Sequence, residues 1–291
     1  MVMLFGLAAA VLYGTGDFLG GLASRKVPVL AVLLLAQTAG VIVALPAAAM
    51  WPGPASLAGL AWGISAGLTG GVGVIIFYRG LAAGPMSVVA PVSGVVSTVL
   101  PVAVALAEGE RPGTGVYAGA LLCLAAVVLT SCAGDDAPAR SPRAAPPRRR
   151  LPRAVRALGY GIASGTSFGL FFLLIRNAGQ SGELRPVAAA RIGELAVVLV
   201  AAAVLRRSLR SRGAQGRLRL AAVAAGAIDV TANICYVAAT RTGKFGLAVV
   251  LAALYPAVTV LLARVVLGER LRWVQRAGLG LAAIGIILVT T

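Results

Sequence analysis

Residues 27–78 form the stretch VPVLAVLLLAQTAGVIVALPAAAMWPGPASLAGLAWGISAGLTGGVGVIIFY, which contains no charged side chain. A helix crosses a bilayer with roughly 20 apolar residues, so the stretch is long enough to cross twice. The turn residues Trp51-Pro52-Gly53-Pro54 lie near its middle. The stretch therefore predicts two membrane-spanning helices joined by a short connection.

The composition of the whole chain extends this prediction. Of 291 residues, 59% are apolar and only 12% are charged, and the mean hydropathy is +0.93. These values exclude a soluble enzyme and a secreted disulfide scaffold. The net charge of +17 does not indicate nucleic-acid binding, because the arginines cluster at the ends of apolar runs, as topology signals do. The chain is thus predicted to be an all-α polytopic membrane protein.

Chemistry that needs a metal or a cofactor finds little support in the sequence. The chain has no histidine, which is the commonest metal ligand and general base. Its three cysteines show neither metal spacing nor a pairing pattern. We therefore expect no metal, no cofactor and no enzyme activity.

Successive apolar runs predict ten membrane-spanning helices. The longest interruption, 133–156, is rich in Pro, Ala and Arg and is predicted to be a flexible linker. It separates a first unit, 1–132, from a second unit, 157–291. The predicted spans are 3–23, 28–50, 57–78, 85–107, 113–131, 157–176, 186–205, 218–239, 245–265 and 273–290.

The two units are predicted to be repeats of each other. The tripeptide at 109–111, Gly-Glu-Arg, recurs at 268–270, and the same offset places Gly84 on Gly243. Because each unit has five spans, the second unit enters the membrane from the opposite side and the repeats are inverted. Many secondary transporters have this architecture, with a site at the repeat interface near the bilayer midplane. The alternative is that duplication only built a larger helical bundle.

Together these features resemble the ten-helix EamA branch of the drug/metabolite transporter superfamily. The resemblance covers nearly the whole chain and rests on the two five-helix units, on the repeated Gly-Glu-Arg turn, and on the small residues around Gly14 and Gly169. Pro91 and the Tyr255-Pro256 pair lie in fourth helices, where such proteins often carry prolines. The resemblance implies secondary transport of amino acids, metabolites or drugs, often outward and often coupled to protons.

Charged residues inside apolar spans are costly and are therefore functional candidates. Asp229, Asn233 and Tyr236 are spaced i, i+4 and i+7, which places a carboxyl, an amide and a phenol on one helical face. This face is predicted to line a polar cavity, where the carboxyl group could exchange a proton. The alternative is a hydrogen-bond cluster that joins helices.

Arg191 and Glu194, spaced i and i+3, are a second candidate pair. In the functional hypothesis Arg191 binds a substrate carboxylate or phosphate, and Glu194 is released to take a proton. In the alternative hypothesis the two residues form a local ion pair that reduces the cost of burying both.

Further candidates are less specific. Asp17 is the only acid within a span of the first unit, and it is either a site residue or a solvated group near the helix end. Several uncharged side chains could donate or accept hydrogen bonds with a substrate, with ordinary helix packing as the alternative. They include Tyr13, Gln37, Ser97 and Tyr255. Glycines at every fourth residue, at 63, 67 and 71 and again at 161, 165 and 169, predict close helix packing.

The predicted function is secondary transport of a small organic solute across the cell membrane by a multi-pass protein. A lipid-processing protein and an uncoupled channel remain as alternatives, and the chain is expected to be a monomer or homodimer without a nucleic-acid partner. Twenty of the 26 basic residues lie on or near odd-numbered connections, which predicts that both termini face outward. The family resemblance implies cytoplasmic termini, so the orientation is open.

Overall fold

The computed structural model describes residues 1–51, 56–84, 86–109, 113–131, 153–178, 184–205, 216–241, 245–267 and 273–290. Within these ranges all regular structure is α-helical, which confirms the predicted fold class. The eleven helices are α1 (Val2–Ser24), α2 (Val29–Met50), α3 (Leu57–Ala83), α4 (Met86–Ala107), α5 (Thr114–Ser131), α6 (Arg153–Ala178), α7 (Arg185–Leu205), α8 (Gly216–Thr240), α9 (Phe245–Ala252), α10 (Tyr255–Leu267) and α11 (Trp273–Thr290).

The helices follow the ten predicted spans in order. Eight stretches in the described part of the chain are long and apolar enough to cross a membrane, if α9 and α10 are taken together as one. α5 and α11, each of 18 residues, occupy the fifth and tenth predicted spans. The described helices thus have the architecture of a polytopic membrane protein.

The ninth predicted span, 245–265, is interrupted in its middle. α9 ends at Ala252 and α10 begins at Tyr255, with a turn between them. Pro256 explains the break, because it has no N–H to donate to Ala252 and its ring would collide with that carbonyl group. The break places Tyr255 in the middle of the bundle, next to α1 and α4.

Two other helix ends differ from the prediction. α3 continues past Arg79 to Ala83, because one long charged side chain does not terminate a helix and its head can reach the membrane surface. α6 begins at Arg153, inside the predicted linker 133–156. Residues 153–156 are Arg and Ala, with one Val, and the first two are strong helix formers. The rest of the predicted linker lies outside the described residues.

The two halves of the chain pack through a repeated set of contacts. α1 packs on α8 and α3 on α6, so the first helix of each half contacts the third helix of the other half. Likewise α4 packs on α6, and α1 packs on the broken helix α9–α10. α2 packs on α7 and α5 on α11, which pairs helices of equal rank. Such reciprocal contacts are those of a two-fold relation, as inverted repeats require.

Glycines allow helices of the two halves to approach closely. A Cβ on Gly67 would overlap the carbonyl group of Ala190 in α7. A Cβ on Gly165 in α6 would lie 2.6 Å from the carbonyl oxygen of Ser93 in α4. At these positions the packing role predicted for both glycine series is confirmed.

Candidate functional site

A cavity lies between the two halves of the bundle. About 690 Å³ of space lies within it and in the solvent at its mouth, and seven helices line it: α1, α2, α3, α6, α7, α8 and α10. Eight of the ten site residues predicted from the sequence line the cavity: Tyr13, Asp17, Gln37, Arg191, Glu194, Asp229, Asn233 and Tyr255.

Arg191 in α7 is the positive centre of the cavity. Its Nη1 atom lies 2.7 Å from Glu194 Oε2 and 2.6 Å from Asp229 Oδ2 in α8, and 3.4 Å from Gln37 Oε1 in α2. Arg191 is 2% exposed and Glu194 is 4% exposed, whereas the Asp229 side chain is one-third exposed. The local Arg191–Glu194 pair of the alternative hypothesis is present, and the structure adds Asp229 as a second anionic partner.

This arrangement brings two carboxylates together on one nitrogen. Nη1 carries two hydrogens, yet three acceptor oxygens converge on it. Glu194 and Asp229 thus share one cationic partner and repel each other across it. Any event that protonates one of the two acids, or moves Arg191 toward one of them, changes the hydrogen bonds of the other.

A hydrogen-bonded chain joins α1 to α8 beside this centre. Tyr13 Oη donates to Asn233 Oδ1 at 2.8 Å, and Asn233 Nδ2 donates to the Asp229 carbonyl oxygen at 2.9 Å. Tyr13 and Asn233 are buried and also line the cavity. Asp229 and Asn233 of this helix face thus line the cavity, and Asn233 also joins α8 to α1 through a hydrogen bond.

Two predicted site residues do not line the cavity. Tyr236 is fully buried, and its hydroxyl donates to the Phe172 carbonyl oxygen at 3.5 Å, so it faces α6. Ser97 is buried in α4, where its hydroxyl donates to the Gly94 carbonyl oxygen at 3.0 Å. The contacts of both side chains are those of helix packing.

Asp17 has different surroundings from the other two acids. It lies seven residues before the end of α1, lines the cavity and is partly exposed. Among the described residues, no cation or hydrogen-bond donor contacts its carboxyl group. In the same part of the chain no three Asp, Glu, Cys or His side chains form a group that could hold a metal ion. Asp17 is thus a cavity carboxyl group without a counterion in the described part of the chain.

Aromatic rings form much of the remaining wall, and the three phenylalanines among them were not predicted as site residues. Tyr13 lies 6.0 Å from Phe172 and 6.4 Å from Tyr255 between ring centres, and Phe171 lies 5.5 Å from Phe172. The cavity rings are Tyr13, Tyr78, Phe168, Phe171, Phe172 and Tyr255. Their signal in the sequence was the spacing of the three phenylalanines, which places them on one face of α6.

The hydroxyl of Tyr255 has no hydrogen-bond partner among the described residues, although the side chain is only 4% exposed. The hydroxyls of Ser93 and Ser97 lie near it without forming a hydrogen bond of good geometry. A buried phenol normally finds a partner, so this group is available to a molecule in the cavity.

The two ends of the bundle differ. Consecutive membrane-spanning helices run in opposite directions, so α1 begins and α11 ends at one end, which we call the terminal end. α1 ends and α6 begins at the other, which we call the linker end. At the terminal end, Arg176 Nη2 of α6 lies 2.6 Å from Glu108 Oε2, just after α4. The same guanidinium lies 4.0 Å from the centre of the Phe245 ring in α9.

These contacts, which we call the Arg176 clamp, join three helices at the terminal end. The hydrogen bond from Arg176 holds the pKa of Glu108 below its ordinary value, so the clamp is charged at neutral pH. In contrast, Asp17, Leu33 and Tyr78 carry the cavity lining toward the linker end. The cavity therefore extends from the middle of the bundle toward the linker end, away from the clamp.

The helices define a polytopic membrane protein with a cavity between two packed halves. The EamA-like transporter family matches residues 1–132 and 155–291, and the chain belongs to this family. A solved structure, described only as the crystal structure of a protein, is similar over 99% of this chain and 96% of its own. Its TM-score of 0.72 at 20% identity shows a shared fold. A search of curated proteins finds no match.

Proposed function

We propose that this protein is a secondary active transporter that exports a small organic solute across the cell membrane in exchange for protons. The observation that carries the proposal is the cavity, which both halves line and which contains three carboxyl groups and one guanidinium group. Ionisable groups inside a membrane protein typically mark a substrate or proton pathway. The sequence contains no ATP-binding motif, so the proposal relies on ion gradients.

The packing of the halves supports alternating access. Reciprocal contacts between inverted repeats allow two arrangements of similar energy, each with the cavity open to one end. The clamp at the terminal end and the extension of the cavity toward the linker end fit one of these arrangements. The other arrangement requires the clamp to open.

Proton coupling is proposed for the acids around Arg191. The titratable groups that line the cavity are Tyr13, Asp17, Tyr78, Arg191, Glu194, Asp229 and Tyr255. Because Glu194 and Asp229 share Arg191 Nη1, protonation of one acid leaves that nitrogen to the other. A proton can therefore enter the site and leave it without an uncompensated charge on Arg191.

The test is proton movement in liposomes that contain the purified protein. A pH-sensitive dye is enclosed, and amino acids, nucleosides and organic amines are added in turn. We expect one class of solute to produce a proton signal with the wild type. We expect each of the variants Asp229→Asn and Glu194→Gln to give a proton signal at least about tenfold smaller than the wild type. Each variant lacks a carboxyl group that is proposed to carry the proton. Asp135→Asn is the matched control, because it makes the same Asp-to-Asn change in the predicted linker 133–156. This variant should retain the proton signal.

Three outcomes contradict parts of the proposal. Solute flux without a proton signal would indicate an uncoupled facilitator or channel. Chemical change in the liposome lipids, measured by mass spectrometry, would support the lipid-processing alternative. Solute accumulation inside cells that express the protein, instead of depletion, would reverse the proposed direction.

A further inference from the structure

The balance of charge in the cavity distinguishes between classes of solute. Among the described residues that line the cavity, three carry a carboxyl group (Asp17, Glu194 and Asp229) and one, Arg191, carries a guanidinium group. If all four groups are ionised, the cavity has a net charge of two negative, and one bound proton leaves it at one negative. Such a cavity attracts cations and repels anions.

The paired end of Arg191 is not available to an anionic solute. Arg191 is 2% exposed, and its Nη1 atom already contacts Glu194, Asp229 and Gln37. Its Nε atom has no partner among the described residues but is buried with the rest of the side chain. An entering carboxylate or phosphate would have to displace Glu194 or Asp229 from Arg191. The displaced acid would then be unpaired beside a second anion, which is a costly arrangement in a poorly solvated site.

Asp17 supplies the complementary feature. Its carboxyl group lines the cavity, is partly exposed and contacts no cation within the described ranges. The cavity also has aromatic walls, including Tyr13 and Phe172, and the faces of aromatic rings attract cations. The unpartnered hydroxyl of Tyr255 is a further polar contact for a bound molecule.

From these observations we infer that the cavity binds an organic cation, an ammonium group carried on an aromatic or other apolar body. The ammonium group lies near Asp17, and the apolar body packs against the rings of α1 and α6. This inference rests on the proposed transport function and names the substrate class of the same site. Proton and solute then compete for the surplus negative charge of the cavity, which links their movements.

The test uses four probes of similar shape that differ in charge. Phenethylamine carries an ammonium group, 3-phenylpropionate a carboxylate, phenylalanine both, and 2-phenylethanol neither. Their affinities are measured by isothermal titration calorimetry on the purified full-length protein in detergent. We expect phenethylamine to bind at least about tenfold more tightly than 3-phenylpropionate, the ratio that ~1.4 kcal/mol produces. Asp17→Asn should weaken phenethylamine binding by about tenfold and leave 2-phenylethanol binding unchanged.

Asp135→Asn serves as the matched control, and thermal unfolding establishes that each variant is folded. Equal or tighter binding of 3-phenylpropionate overturns the inference and favours Arg191 as an anion site. Failure of phenethylamine to bind, or binding that Asp17→Asn does not change, overturns it as well. The transport proposal is tested separately, because phenethylamine that binds but produces no flux in liposomes contradicts transport and leaves the cation site intact.

Discussion

Arg191 pairs with two acids that come from different helices. Glu194 is one turn away on α7, whereas Asp229 lies on α8, so the guanidinium group ties the two helices together within the apolar bundle. Removal of one member of a buried charge cluster is more damaging than the net value of the cluster suggests, because the remaining charges are left without partners.

Replacement of Arg191 should therefore destabilise the protein. We expect Arg191→Met to lower the free energy of unfolding by about 3–5 kcal/mol, since Glu194 and Asp229 would face each other unpaired. The measurement is unfolding by dodecyl sulfate in mixed micelles, followed by circular dichroism. Arg156→Met, at an exposed position of α6, is the matched control and should change stability little.

A triple variant separates the loss of charge balance from the loss of packing. Arg191→Met combined with Glu194→Gln and Asp229→Asn contains no buried charge at this centre and should recover most of the lost stability. If the triple variant is as unstable as Arg191→Met alone, the arginine stabilises the protein by packing and not by charge. Proton coupling should be absent from the triple variant in either case, because both proposed proton carriers are removed.

The sequence predicted the members of this charged centre but not how they are connected. An acid or an arginine inside an apolar span is visible without a structure, and the i, i+3 spacing implied the Arg191–Glu194 pair. The contact with Asp229 depends on the packing of α7 and α8, which local spacing does not encode. The alternatives for Tyr236 and Ser97 were equally undecided by spacing, and in the structure both side chains make helix-packing contacts.

Among the helices, α3 and α7 approach each other through glycine. We expect Gly67→Ala to destabilise the protein by about 1–3 kcal/mol, because the added methyl group would overlap the Ala190 carbonyl group and force the helices apart. The measurement is the temperature at which half of the heated protein is lost from the monodisperse peak in size-exclusion chromatography.

Gly159→Ala is the matched control, since a Cβ at this exposed position of α6 meets no atom within 4 Å. It should leave stability unchanged or raise it slightly, as alanine favours helices over glycine by about 1 kcal/mol. Equal losses in the two variants would show that glycine at residue 67 is not required for close packing.

The Arg176 clamp should control access to the cavity from the terminal end. Glu108→Gln removes the ion pair with Arg176, and Val74 lines the cavity. In the Glu108→Gln variant we expect a cysteine at residue 74 to react up to about fivefold faster with a maleimide added at the terminal end. A larger increase is not expected, because an exposed ion pair contributes at most about 1 kcal/mol. The background lacks the native cysteines at 123, 132 and 235. An unchanged or slower rate would indicate that other contacts close this end.

The clamp also predicts a pH dependence. The pKa of Glu108 is lowered in the folded protein, so the stabilisation from the pair is complete above the ordinary pKa of glutamate, about 4.3. It is lost as the pH falls through the lowered folded value. Maleimide reacts with the thiolate, so acidification slows the labelling of both proteins. The ratio of the Glu108→Gln rate to the wild-type rate should fall toward one as the pH drops through this range, because the wild type then loses the same ion pair.

Helix existence and order followed from apolar run length, and most ends agree within a few residues because turn residues mark them. The sequence did not predict the division of the ninth span into α9 and α10, although Pro256 lies within that span. A proline inside a membrane helix either interrupts the helix or leaves it continuous, and α4 is continuous across residue 91. Neighbouring helices make that choice, and a single sequence does not identify them.

For the molecule as a whole, the contacts between the halves predict that the chain between them is dispensable for assembly. α1, α3 and α4 each pack mainly on helices of the second half. We expect fragments 1–140 and 141–291, expressed together, to co-purify through a tag on one of them and to retain solute-driven proton signals. The control is the tagged fragment expressed alone and mixed after solubilisation. Failure of the co-expressed fragments to co-purify would show that the covalent connection is required.

The packing of first-half helices on second-half helices also has a consequence for biogenesis. α3 ends at Ala83, but α6, on which it packs, ends at Ala178. A ribosome needs roughly 5–20 s to add about 100 residues. During that interval the glycine-lined face of α3 lies in the membrane without its partner. The first half is therefore a folding intermediate that persists until the second half is made. The yield of correctly folded protein depends on how well the translocation machinery or the lipids shield this intermediate.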